Sequence, residues 1–388
     1  MTKTERWIAR DEALARLRIK TQTLYAYVSR GRITARPDPA NPRRSLYAVE
    51  DVQRLISGEA PAPLAEILPF EGPPLRGEAL VQSSLTVIAG GNLFYRGRDA
   101  VDLAETSTAE ETAALLWDLP QAQMFAGIAP RLTSAGGVTA RMRLFSALGR
   151  RAEEDAPATG RSLDALKAEA VAVLTEVIDA IAGPGPRLYF HQRLGRGWKV
   201  VERDNPLIRR ALVLAADETV DPAVVATRAA AGGGASPAAA AFAGLATFSA
   251  SPLYAAVTRA SVFVQEARRE PVAAIARRIA RDGVLPGFTD DTWPSADPRA
   301  ESLLMAADLP ADLSAVLQQG EATTGNPPGF DLALALLARR LDLPRDGACD
   351  LLLVGRLIGL LGHALDQAGD GSPIAARLRY VGARPGAG

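Results

Sequence analysis

One cysteine in 388 residues excludes a disulfide framework and any cysteine-based metal cluster. Histidine is nearly as scarce: only His191 and His363 are present, and no metal site is expected. Aromatic residues make up 5% of the chain, which argues against sheets built on large β-branched and aromatic side chains. No apolar run approaches the ~20 uninterrupted residues of a membrane-spanning helix. The greasiest stretch, Leu351 to Leu365, contains Arg356 and His363. The N-terminus lacks the basic-then-apolar layout of a secretory leader. Together these absences lead us to expect a soluble, cytoplasmic protein with no membrane partner.

What is present is alanine, within a 48% hydrophobic composition that suits closely packed helices. The length predicts two or three packed units, and the fold class is read as mainly α. A net charge of zero conceals an asymmetry, because residues 1–58 hold twelve Lys/Arg against six Asp/Glu. A basic end of this kind is suited to a polyanion such as DNA.

Along the chain, an apolar pattern from Trp7 through Leu17 and a second from Thr21 to Ser29 predict two helices, with Gly31 as a C-cap. Two short extended runs, Ile33–Arg36 and Ser45–Ala48, flank the Pro/Asn-rich segment 37–42, and a helix over Val49–Ile56 closes the unit. The prolines of segment 59–79 mark a linker. Beyond it, Leu85–Ala89 and Asn92–Gly97 around Gly90-Gly91 predict a hairpin. Thr108 with Glu111 reads as a capping box. Amphipathic stretches follow at about 164–182, 206–216, 237–248, 255–280, 330–341 and 347–368. The Gly232-Gly-Gly run lacks the strand-to-helix setting and the lysine of a phosphate loop, and reads as a turn.

The segment Thr21-Gln-Thr-Leu-Tyr-Ala-Tyr-Val-Ser-Arg-Gly-Arg-Ile resembles the recognition helix and wing of the MerR and excisionase-like family. That resemblance implies a winged helix-turn-helix domain over 1–58. It places Lys20, Thr21, Gln22, Arg30 and Arg32 toward a DNA groove and Arg36, Arg43 and Arg44 toward phosphates. The bland alternative is a module that serves assembly alone.

From residue 80 to 388 the chain resembles citrate synthase. The resemblance rests on Leu93-Phe-Tyr-Arg-Gly, Leu285-Pro-Gly-Phe, Asp297-Pro-Arg-Ala, Pro328-Gly-Phe-Asp, the run from Val354 through Gln367 and Tyr380-Val-Gly, in that order. It implies a large and a small helical domain, the smaller over about 255–345, and a dimer whose active sites are completed across the interface. It also implies a reaction in which a carboxylate deprotonates an acyl-CoA, the enol attacks oxaloacetate and the thioester is hydrolysed, with no cofactor. Histidines normally supply the hydrogen-bond donors which that chemistry needs.

Those histidines are replaced. In Leu214-Ala-Ala-Asp-Glu-Thr-Val-Asp, Glu218 falls where the first imidazole belongs and Asp221 where an asparagine belongs. In Ala250-Ser-Pro-Leu-Tyr-Ala-Ala the second position falls on Leu253 or Tyr254, and in Pro286-Gly-Phe-Thr-Asp the third falls on Asp290. Carboxylates there repel a dicarboxylate, so oxaloacetate is expected to bind poorly. By the same resemblance Asp331 matches the catalytic base, while Arg299 and Arg356 match arginines that clamp substrate carboxylates. The bland alternative keeps these three as internal pairs of the fold. The Arg-Pro pair that precedes the family's last motif is replaced by Ala375-Ala376, and His191 and His363 are read as structural.

Three functions follow. The first is a catalytically impaired paralogue that binds an acyl-CoA or dicarboxylate, as a homodimer or as a heteromer with an active synthase subunit. The second is an active citrate or 2-methylcitrate synthase with Asp331 as base and Tyr254 or Glu218 as acid. The third is a ligand-responsive DNA-binding regulator.

Overall fold

The computed structural model describes residues 7–29, 33, 35–38, 41–57, 81, 83–120, 125, 136–183, 189–218, 221–288, 293, 296–371 and 374. The expected linker 59–79 lies outside them. The chain divides into two units, Met1–Pro73 and Pro74–Gly388.

In the N-terminal unit, β1 (Trp7–Ala9), α1 (Arg10–Leu17) and α2 (Thr21–Ser29) are followed by β2 (Ala35–Asp38), β3 (Asn41–Ala48) and α3 (Val49–Ser57). The strands form an antiparallel sheet in the order β1-β3-β2. Trp7 therefore belongs to a strand rather than to the first helix. Its neighbours Ile8 and Ala9 pair with Tyr47 and Leu46, and that long-range pairing overrides the helical pattern. Helix α1 starts later, where Asp11 and Glu12 meet the positive end of its dipole. The hairpin β2/β3 is also tighter than expected, because Asn41 already pairs with Asp38. Ile8, Ala13, Leu24, Ile33, Tyr47 and Val52 form the unit's core.

The second unit opens with β4 (Thr86–Ala89), β5 (Asn92–Tyr95) and β6 (Arg98–Asp99). Gly90 and Gly91 both have positive φ, 58° and 82°, the geometry that a two-residue hairpin turn demands. Helices follow: α4 (Ala100–Thr106), α5 (Ala109–Trp117), α6 (Ala140–Glu154), α7 (Leu163–Ala182), α8 (Phe190–Gly197) and α9 (Asn205–Leu214). Next come α10 (Pro222–Gly232), α11 (Pro237–Phe248), α12 (Pro252–Ala267) and α13 (Pro271–Asp282). Last are α14 (Pro298–Ala307), α15 (Ala311–Thr324), α16 (Phe330–Arg340) and α17 (Gly347–Asp370).

The capping box is present: Thr108 Oγ1 accepts from Glu111 N at 3.1 Å, and Glu111 Oε2 accepts from Thr108 N at 2.7 Å. The expected stretch 255–280 is two helices, since Pro271 cannot continue α12 and instead opens α13. The stretches read from the sequence do not cover α6, α8, α10, α14 and α15. In α10, PAVVATRAAAG, small apolar residues fall on every face, so the 3.6-residue contrast that betrays an amphipathic helix is faint.

One large core joins α4 to α11 with α14, α16 and α17. A second core, with Phe263, Ile275, Phe288, Val316 and Leu336 among its members, lies under α12, α13, α15 and α16. Helix α17 is the axis of the first. Its 24 residues are long and apolar enough to cross a membrane, and that apolar stretch is fully buried inside the protein. This corrects the expectation that no segment reaches that length, and burial accounts for the apolarity. Gly355 and Gly359 let the end of α9 lie directly on α17. A Cβ on Gly359 would stand 2.3 Å from the Ala216 carbonyl oxygen, which accepts from Gly359 N at 2.9 Å.

Two outcomes follow from this packing. Gly359→Ala forces that backbone contact apart and should cost at least ~2 kcal/mol, seen as a lowered midpoint in urea unfolding. The second concerns Glu110, which is buried, with Oε1 accepting from Phe190 N at 2.6 Å and Oε2 unpartnered. Burial raises it to about 7. A raised carboxyl favours folding below its unfolded value, and the benefit disappears as pH rises through 7. Glu110→Gln should therefore gain stability relative to the parent between pH 5 and 8, by about 2–3 kcal/mol in unfolding curves taken at both values.

Candidate functional site

Helix α9 ends against Tyr95, whose hydroxyl lies 3.1–3.2 Å from the carbonyls of Val213, Leu214 and Asp217 and accepts from Asp217 N at 3.2 Å. Backbone groups that a helix terminus leaves open are answered there, and the chain turns sharply into Asp217 and Glu218. The Asp217 side chain is fully buried. Its carboxylate accepts from Thr86 Oγ1 at 2.5 Å, from His363 Nε2 at 3.0 Å and from Arg356. Because Arg228 Nε donates to His363 Nδ1 at 3.1 Å, the ring proton sits on Nε2 and points at Asp217. Burial, assisted by the charges of Arg228 and Arg356, holds His363 well below its usual range and hence neutral.

Two arginines converge on the same region. Arg299 is buried and grips Asp297 with Nε and Nη2 at 2.8–3.2 Å, while Nη2 also donates to Glu218 Oε1 at 3.0 Å. Its guanidinium lies 4.6 Å from the Phe330 ring centroid and 5.3 Å from that of Trp293. Burial opposes its charge, but Glu218 and Asp297 more than offset that and raise its pKa. Arg356 is bound to Asp217, and its Nη2 stands 3.3 Å from Asp221 Oδ1, an ion-pair distance without hydrogen-bond geometry. Burial lowers Arg356 to about 10. Asp221 also caps α10, accepting from Val224 N at 2.8 Å. With Arg356 committed to Asp217, burial and the nearby Glu218 carboxylate push Asp221 up to about 6.

A cavity of about 1050 Å³ opens over these groups, lined by Glu218, Asp221, Arg299, Phe330 and Asp331. Toward solvent it is lined by Arg259, Arg281, Asp282 and Val284. Asp331, in the first turn of α16, lies close to Gly329, where a Cβ would come within 2.6 Å of its Oδ1. The described lining contains no histidine, tyrosine, cysteine or lysine.

The structure thus brings Glu218, Arg299 and Asp331 to one cavity, with Arg356 beneath Asp221. It does not bring Tyr254 there. Leu253 lines the cavity, whereas the Tyr254 hydroxyl accepts from Arg141 Nη1 at 3.1 Å and its ring packs 5.0 Å from that guanidinium. Burial, with Cys349 adding to it, pushes the phenol up to about 12. One position along a helix turns a side chain by about 100°, which sets Leu253 in the cavity lining and Tyr254 outside it. Asp290 lies outside the described residues, as do Ala375 and Ala376. His191 is buried, stacked on Tyr189 and held down at about 4 by burial. In the other unit Thr21 opens α2 and Arg44 is exposed on β3, while Arg30 and Arg32 and the side chains of Gln22 and Arg43 fall outside the described set.

Sequence reasoning missed Asp217, Asp297 and Thr86. Asp217 adjoins Glu218 and Asp297 opens the Asp-Pro-Arg run, but nothing in either pattern announces a buried carboxylate.

Residues 74–379 match the family described as citrate synthase, C-terminal domain. The fold is similar to the citrate synthase of Thermotoga maritima, at TM-score 0.64 and 19% identity over 79% of this chain and 94% of that one. It is also similar to the Thermoplasma acidophilum citrate synthase in its ternary complex with carboxymethyl coenzyme A and oxaloacetate, at TM-score 0.62 and 18% identity over 79% and 94% of the two chains. A third likeness is to the Pyrobaculum aerophilum citrate synthase, at TM-score 0.65 and 17% identity over 78% and 90%. No curated protein sequence matches.

Removing the charge of Asp217 tests the network. Asp217→Asn leaves Arg356 buried against a neutral amide and should cost about 3–5 kcal/mol, measured by denaturant unfolding. His363→Gln, which takes away a neutral partner, should cost less.

Proposed function

Because this chain belongs to the citrate synthase family, we propose that it is a catalytically impaired member, taking an acyl-CoA into the cavity without condensing it with oxaloacetate. The observation that carries this reading is the Glu218–Arg299 pair, 3.0 Å long and resting on the Asp297 fork. An arginine that clamps a substrate carboxylate has to be free to meet one. Here a carboxylate of the chain itself already occupies that position. A dicarboxylate would have to displace it and then lie beside Glu218, Asp221 and Asp331, where like charges raise the cost of every ionised group.

The second arginine is equally committed, since Arg356 faces Asp217 and Asp221. Asp331, which lines the cavity, is the group we assign as a base for an acyl-CoA proton. What the described lining lacks is a neutral side-chain nitrogen donor, such as an imidazole, of the kind that would stabilise the enolate oxygen. The Thermoplasma enzyme of similar fold holds a coenzyme A analogue, and a cavity of about 1050 Å³ has room for the acyl end of such a molecule. An impaired subunit of this kind would act in a homodimer or beside an active synthase subunit.

Calorimetric titration of the purified chain with oxaloacetate should show no binding at millimolar concentration. Glu218→Gln, which keeps an acceptor for Arg299 but removes the charge, should raise oxaloacetate affinity at least tenfold, while acetyl-CoA binding stays within about threefold of the parent. A parallel assay follows CoA release from acetyl-CoA and propionyl-CoA with oxaloacetate. Release by the parent that disappears in Asp331→Ala would overturn the impaired reading in favour of an active synthase.

A further inference from the structure

The two arginines at the inner end of the cavity are tied to carboxylates of the chain itself, Arg299 to Asp297 and Glu218, Arg356 to Asp217 and Asp221. Much of the remaining lining is apolar. Phe248, at the end of α11, and Phe330, at the start of α16, line the cavity and lie against those two guanidiniums, 5.5 Å from Arg356 and 4.6 Å from Arg299. Their contribution to the wall is carbon.

Helix α12 adds Leu253 and Ala256 to the lining. Three positions apart, they are neighbours on one helical face. A second apolar strip, Val284 and Pro286, comes from the segment that follows α13. Val284 is 55% exposed, although its side chain gains by leaving water. A single exposed valine is ordinary on a convex surface, but this one lines a concave site together with Leu253 and Ala256. Leu253 is also one of the two residues on which the second imidazole position of the citrate synthase resemblance falls. A side chain that neither donates nor accepts a hydrogen bond stands in the lining, and what it offers a ligand is removal of apolar surface from water.

Resting on the reading of this cavity as an acyl-CoA site, we propose that the thioester it holds carries an aliphatic acyl chain longer than acetyl, of butyryl to octanoyl size. Such a chain covers Val284, Leu253 and Ala256 and asks for no polar partner. An acyl group ending in a carboxylate instead meets Glu218, Asp221 and Asp331, where like charges oppose it. Each methylene taken from water onto these residues should tighten binding roughly threefold.

The test is calorimetry on the full chain with acetyl-, butyryl-, hexanoyl- and succinyl-CoA. Hexanoyl-CoA should bind at least tenfold more tightly than acetyl-CoA, and butyryl-CoA more tightly than succinyl-CoA, which has the same number of acyl carbons. Leu253→Asn should cut the hexanoyl-to-acetyl ratio at least threefold. Because Leu253 also packs on the large core, Val284→Asn is the second variant: at an exposed side chain it should cut the same ratio without shifting the melting temperature of the unliganded protein. Binding of acetyl-CoA with no gain along the series overturns this inference alone, as does a preference for succinyl-CoA or a ratio that Val284→Asn leaves unchanged. Failure of every thioester to bind overturns it together with the reading on which it rests.

Discussion

A carboxylate sealed from water has to be answered by hydrogen bonds and charge, and Asp217 is answered from two distant parts of the chain. Thr86, the first residue of the β4/β5 hairpin, reaches it from one side, and Arg356 and His363 reach it from α17. The last two are seven residues apart, hence on one helical face two turns from each other. The hairpin, the end of α9 and the central helix are therefore locked in a single arrangement. The Gly359 contact, which permits no side chain, sets how closely they approach. Arg228 extends the lock through His363 to Asp366 and Ser83. Two of the groups facing the cavity hang from this frame, since Glu218 is the next residue after Asp217 and Asp221 stands beside Arg356.

The frame and the pocket obey different constraints. Packing around α17 depends on small residues and shape, and it persists with about a fifth of positions identical to solved citrate synthases. The pocket depends on a few charges. One carboxylate, Glu218, within reach of Arg299 closes that guanidinium into an internal pair at the cavity wall. Chemistry is set by the groups at the site and not by the fold that carries them.

Much of the architecture was legible in the sequence where local chemistry is strong. Gly90-Gly91 marked its hairpin, Thr108 and Glu111 their cap, and the long apolar periods gave α7, α11, α16 and α17 nearly to the residue. Local signals failed where a distant partner decides: Trp7–Ala9 pairs with β3 instead of extending α1. They failed again where alanine fills every face, as in α10. Glu218, Arg299 and Asp331, singled out by motif order, line one cavity. Leu253 and Tyr254 could not be separated without knowing which way α12 turns, and Asp217 and Asp297 gave no signal because a buried acid looks like any other acid in one dimension.

The bonds that satisfy Asp217 join residues 131, 139 and 146 positions apart, and two of the three come from the last helix of the described chain. On the ribosome, α9 and Asp217 emerge well before the α17 residues that answer that carboxylate. Until α17 is released, the large core lacks its axis, and the apolar faces of α5, α9, α10 and α11 that close on it remain open to water. Topology of this sort makes closure of the core depend on contacts between residues far apart in the chain. Truncation just before Gly347 therefore removes the element around which the large core condenses.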